Sequence, residues 1–109
     1  MLGIEPSYEQ KHFGPEEKRG RLRLIASPDG AEGSVTLHQD ARIYAGLFDG
    51  AERAQFPLGG GRKAYVHMAR GKALVNGQLL SAGDALKTDS GPITVTGGEA
   101  AELLLFDLP

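Results

Sequence analysis

Apolar and polar positions alternate along this chain in short runs. Val35 and Leu37 fall on one side of an extended segment, with Thr36 and His38 on the other. Val66 and Met68 share a side, and Lys63, Tyr65 and His67 take the opposite one. Side chains on a strand project alternately, so each such run has one core face. The runs are cut by Asp29-Gly30, Asp49-Gly50, Asn76-Gly77 and Gly97-Gly98. These dipeptides supply the positive φ angles that tight hairpins need. The clearest hairpin is Ala73-Leu74-Val75, then Asn76-Gly77, then Gln78-Leu79-Leu80. The pattern predicts strands over 21–26, 34–38, 42–48, 52–58, 63–70, 72–75, 78–80, 84–87, 92–96 and 101–107. No window carries the period of a long helix. Many short strands with regular turns point to an all-β sandwich or barrel. Its inward positions are Val35, Leu37, Val66, Met68, Leu86, Ile93, Val95, Leu103 and Leu105.

Residues 1–20 differ in texture: two prolines, three glycines, many charges and no sustained period. They read as an extended N-terminal arm or linker anchored by Ile4, Tyr8 and Phe13, ahead of a domain over 21–109. The length of 109 residues suits one domain. An apolar fraction of 40% favours a folded chain. The 16 glycines follow no collagen-like period and fit many tight turns. A net charge of -2 argues against a nucleic-acid binder. The absence of cysteine removes disulfides, thiolate ligands and cysteine nucleophiles, and fits a reducing cytoplasm. No apolar run approaches the length of a membrane span, and no signal-peptide pattern opens the chain. The expectation is a cytoplasmic protein with neither a nucleic-acid nor a membrane partner.

Few residues suggest chemistry. His38-x-Asp40 with a later His67 superficially matches an iron-binding facial triad, but alternation turns all three side chains away from the core face. Arg19, Arg21 and Arg23 recur at period 2 and line one face of an extended segment, a solvated face or an anion-receiving one. Gly59-Gly60-Gly61-Arg62-Lys63 lacks the spacing and following helix of a phosphate loop and reads as a flexible turn. Ser27, Ser34, Ser81 and Ser90 have no nucleophile-elbow context. Tyr44, Tyr65 and His67, with Tyr8 and Phe13 of the arm, are the candidates for a face that meets another domain or partner.

Taken together, several segments resemble a known family. They are Gly3-Ile4-Glu5-Pro6-Ser7-Tyr8-Glu9-Gln10-Lys11, Arg19-Gly20-Arg21-Leu22, Ile25-Ala26-Ser27-Pro28-Asp29-Gly30 and His38-Gln39-Asp40-Ala41. Ala64-Tyr65-Val66-His67, Val75-Asn76-Gly77, Ala82-Gly83-Asp84-Ala85 and Leu104-Leu105-Phe106-Asp107-Leu108 continue the series. In this order and spacing the chain resembles the C-terminal half of the bacterial pirin-like two-cupin proteins, some of which act as quercetin 2,3-dioxygenases. The resemblance implies a cupin-type double-stranded jelly-roll barrel. It also implies two stacked barrels in a parent chain, with the metal usually held in the N-terminal barrel by histidines and a glutamate.

The general cupin metal pattern can be laid on this chain. With its glycine on Gly71, its glutamate falls at Ala64 and its histidines at Leu58 and Gly60, or one residue earlier at Pro57 and Gly59. Its second motif, on Ser81-Ala82-Gly83, puts the last histidine at Leu86. None supplies the nitrogen or oxygen donors that Fe, Mn, Ni or Cu requires. The expectation is a non-catalytic cupin module with no catalytic residue, metal or cofactor of its own, and no activity alone. Its role is structural, as a pocket wall or in assembly. Its partner is a metal-bearing N-terminal cupin domain, or a second copy in its absence. The alternatives are a stand-alone small cupin that binds or converts a small molecule without metal, and a regulatory partner module.

Overall fold

In the computed structural model, residues 13–109 are described. A short helix α1 (Pro15–Lys18) precedes strands β1 (Leu22–Ser27), β2 (Val35–Thr36), β3 (Arg42–Phe48) and β4 (Ala54–Phe56). Then follow β5 (Lys63–Val75), β6 (Gln78–Ser81), β7 (Ala85–Thr88) and β8 (Ile93–Leu108). A single 3₁₀ turn, Ala31–Gly33, lies between β1 and β2. The strands join in the order β2-β1-β3-β8-β5-β6, with β4 added to β8 and β7 to β5. All pairings are antiparallel except β1 with β2.

Two long strands shape the barrel. The first half of β5 pairs with β7 and with the second half of β8. Its second half pairs with β6 and with the first half of β8. Between Met68 and Leu74 the β5–β8 register shifts repeatedly. Gly71 there has φ 65, and opposite it Gly97 and Ala100 have φ 59 and 49. Such bulges bend both strands together and fold the sheet over itself. The inward phase changes across the bend: Ala64, Val66 and Met68 are buried before it, Ala73 and Val75 after it. A Cβ on Gly71 would overlap the carbonyls of Glu99 and Ala100, so the crossing requires glycine. Asp49 secures the other side, since its Oδ1 accepts the Ala100 N–H at 3.2 Å and the Gly50 N–H at 3.1 Å.

The folded halves enclose one core of Phe48, Phe56, Val66, Met68, Val75, Ile93, Val95, Leu103 and Leu105, with smaller side chains between them. The residue alternation therefore gave the core face of β5 and β8. It was less accurate elsewhere. Val35 and Leu37 are only half-buried, because β2 is a two-residue edge strand, and Ser34 takes the buried place beside them. The strands expected over 63–70 and 72–75 are one strand, as are those over 92–96 and 101–107. The glycines bend the chain there without ending the pairing.

Gly71→Ala should destabilise the fold by about 2 kcal/mol or more, since it adds both a left-handed alanine and a backbone overlap. Urea unfolding followed by circular dichroism reads it, and an unchanged midpoint would contradict the bend as described.

Candidate functional site

The inner face near β7 is where the metal pattern falls. Val66 pairs with Leu86 and Ala64 with Thr88, so Ala64 and Leu86 lie on neighbouring rows of the same sheet. Ala64 is 2% exposed, and Leu58 and Leu86 pack against the core from the rim. Leu58 also lies close against Gly91, where an added Cβ would sit 2.8 Å from the leucine Cβ. Gly60 stands in an open, exposed loop. The positions are thus occupied by aliphatic packing and one bare glycine, a set that does not fit a transition-metal ion. Among the described residues, no three His, Cys, Asp or Glu side chains approach closely enough to hold one. His38 is exposed, Asp40 is bonded to Arg62 and His67 lies on the outer face of β5, so the structure does not assemble them.

The outer face of the same sheet carries the more distinctive surface. One register row runs Ile43, Phe106, Tyr65 and Lys87 across β3, β8, β5 and β7. The next runs Ala45, Leu104, His67 and Ala85. Ile43, Tyr65, His67, Leu104 and Phe106 are half-buried. The Tyr65 and Phe106 rings meet edge-on, 5.9 Å between centroids and 67° apart. Tyr44 does not join them. It is on the inner side of β3, its ring 4.8 Å from Phe56, and burial first and the Asp107 charge second push its phenol above its ordinary value. Phe13 lies beneath the guanidinium of Arg23, 5.0 Å from ring centre to Cζ. Tyr8, like Ile4, falls outside the described residues.

The charged residues form clamps that the alternation did not reveal. Arg62, at the end of the glycine loop, donates through Nε to Asp107 Oδ1 at 2.9 Å and through Nη1 to Asp40 Oδ2 at 2.9 Å. Its Nη2 reaches the Asp107 carbonyl at 3.2 Å. These partners hold the guanidinium charged and tie the loop to the end of β8. The three arginines do not present one free face. Arg19 bonds Glu52 at 3.0 Å, and Arg23 bonds Glu17 at 3.2 Å as well as the Leu24 and Glu32 carbonyls, while Arg21 is exposed. Ser27 and Ser34 are buried with their hydroxyls 2.9 Å apart. Ser27 donates onward to Asp29 Oδ1 at 3.1 Å, and both Ser27 Oγ and Asp29 Oδ1 accept the Ala31 N–H. The Ser-Pro-Asp-Gly segment is thus a braced turn, not a nucleophile. Its sequence signal was an Asx-type turn, and the two buried serine partners were invisible without the fold.

A cleft of about 660 Å³ opens where β5 begins and β7 and β8 end, lined by Lys63, Ala64, Tyr65, Lys87, Thr88, Asp89 and Leu108. A smaller one of about 350 Å³ lies between the start of β6 and β7, lined by Asn76, Gln78 and Ala85 to Thr88.

Comparison with known proteins adds to this geometry. A family model described as the quercetinase C-terminal cupin domain matches residues 24–108. Quercetin 2,3-dioxygenase of Escherichia coli K12 is 32% identical over 108 residues, covering 98% of this chain and 46% of that protein. The pirin-like protein YhaK of the same organism is 38% identical over 96 residues, covering 83% of this chain and 41% of its own. The crystal structure of the bacterial pirin YhhW from Escherichia coli in complex with nickel(II) superposes with a TM-score of 0.85 at 32% identity, over 98% of this chain and 45% of that one. The chain spans about half the length of the curated relatives it matches.

The braced turn has a pH signature. The Ser27 hydroxyl and then the Ala31 N–H hold the Asp29 carboxyl below its ordinary 3.8. A depressed folded-state value gives stability that is fully present above 3.8 and is lost as pH falls through the lower folded value. Urea midpoints measured at about pH 5 and about pH 2.5 should therefore fall further for the wild type than for Asp29→Asn. Equal falls would contradict the role given to Asp29.

Proposed function

This chain belongs to the quercetinase C-terminal cupin domain family, and from that premise we propose that it is the metal-free half of a pirin-like two-barrel protein. In this reading it braces a metal-bearing cupin and does not itself carry the oxidation. The observation that supports it most is the set of residues at the metal positions. Leu58, Ala64 and Leu86 belong to or pack on the aliphatic core, and Gly60 has no side chain to offer.

The bracing surface is the outer face carrying Ile43, Tyr65, His67, Leu104 and Phe106. Half-buried aromatic and aliphatic side chains on the outer face of a sheet suit contact with another folded unit. The partner proposed is a cupin barrel that supplies the histidines and carboxylate this chain lacks. Without that barrel, the same face pairs two copies of the chain, the commonest symmetric outcome for a self-complementary patch. The cytoplasmic setting belongs to the same proposal and rests on the cysteine-free composition. Among the described residues, no helix is long and apolar enough to cross a membrane.

Two measurements check this. Oxygen uptake by the purified chain with a flavonol and added Ni, Fe, Mn or Cu should equal that of the metal alone, and turnover would refute the non-catalytic assignment. Light scattering of the full chain should show a dimer, and Leu104→Glu should return it to monomer. A monomer at high concentration would remove the docking role from this face.

A further inference from the structure

The cleft at the start of β5 and the ends of β7 and β8 shares only Ala64 with the metal positions, and the rest of its lining has a chemistry of its own. Its lining combines the Tyr65 ring, the aliphatic side chains of Ala64 and Leu108, the Thr88 hydroxyl, two ammonium groups and a single carboxylate. Tyr65 is in the lining, and its ring meets Phe106 edge-on. Lys63 precedes Tyr65 by two positions on β5, and Lys87 is Tyr65's partner on β7, so both cations stand on the outer side of the sheet with the ring. Leu108 is the β8 partner of Lys63 and adds an apolar wall. Neither ammonium makes an ion pair among the described residues, whereas Arg19, Arg23, Arg62, Arg70 and Lys72 all do. Two unpaired cations beside Asp89 leave the cleft one positive charge in excess.

We propose that this cleft binds a planar aromatic monoanion, such as a hydroxylated aryl carboxylate. The ring stacks on Tyr65 against Leu108. The anionic group lies between Lys63 and Lys87. Asp89 accepts a hydrogen bond from a ring hydroxyl and repels a second negative charge. The volume is in the range of small-molecule sites, and an apolar lining with a few polar groups is what orients such a ligand. The proposal does not rest on the docking role. The cleft belongs to the single chain, and its occupancy can be read in a monomer.

The test is a titration of 4-hydroxybenzoate into the full chain, and into the Leu104→Glu variant so that dimer formation does not mask the cleft, followed by NMR chemical shifts. Shifts centred on Lys63, Tyr65, Lys87 and Leu108, with a dissociation constant of about 1 mM, are expected. Lys63→Gln with Lys87→Gln should weaken binding about tenfold. Both lysines are exposed, so the variant keeps the fold. The uncharged 4-hydroxybenzyl alcohol should bind about tenfold more weakly as well. Absent shifts at about 20 mM ligand, shifts centred elsewhere, or a double variant that binds as well as the wild type would each overturn the site. Terephthalate, a dianion, should bind more weakly than 4-hydroxybenzoate, and tighter binding would overturn the part given to Asp89.

Discussion

The structure depends on one constraint: β5 and β8 must bend together without losing their pairing. Antiparallel strands of this length would otherwise run on as a flat ribbon with one face of Val66, Met68, Leu103 and Leu105 exposed. The bulge around Gly71, matched by the left-handed Gly97 and Ala100, turns the ribbon back so that Val75, Ile93 and Val95 cover that face. The bend also resets the phase of alternation, which is why both halves of β5 point apolar side chains inward although the buried positions change from even to odd numbers. Asp49 stabilises the β8 side through the Ala100 N–H, so a turn between β3 and β4 helps hold a bend elsewhere in the chain.

The same core bears on the proposal that this barrel carries no metal chemistry of its own. In a jelly roll the space between the sheets can hold a ligand or metal, or it can be filled by side chains. Here Ala64 is part of the core, and Leu58 and Leu86 are partly buried against it. Fold alone does not carry function. On the proposed reading, the surfaces that serve function are the outer rows on β5 and β8 and the cleft where β5 begins and β7 and β8 end.

Much of this was legible in the residues. Alternation located the core face of β5 and β8 because each strand has one buried side, and the Asn76-Gly77 turn marked its hairpin because few other residues adopt its φ angles. The placement of Tyr65 and His67 away from the core followed from the same alternation. What was not legible involved distance or a change of phase. The pairing continues through Gly71 and through Gly97 to Ala100, but a glycine reads locally as a break. Tyr44 points inward because β3 is in register with Leu105, which only the β3–β8 pairing reveals. Arg62 and Asp107 are 45 residues apart, and no local pattern announces that the glycine loop is clamped to the last strand. Ser34 is buried because Ser27 is its partner, a pairing that depends on the parallel β1–β2 contact.

At the positions where the general cupin pattern places metal ligands, this chain has Leu58, Gly60, Ala64 and Leu86, and the proposal is that it holds no metal. Elemental analysis tests it most directly. Untagged chain would be dialysed against chelator, exposed in turn to Fe, Mn, Ni and Cu, and freed of loose ions by gel filtration. Far less than one ion per chain is expected for every metal. One ion retained per chain would contradict it.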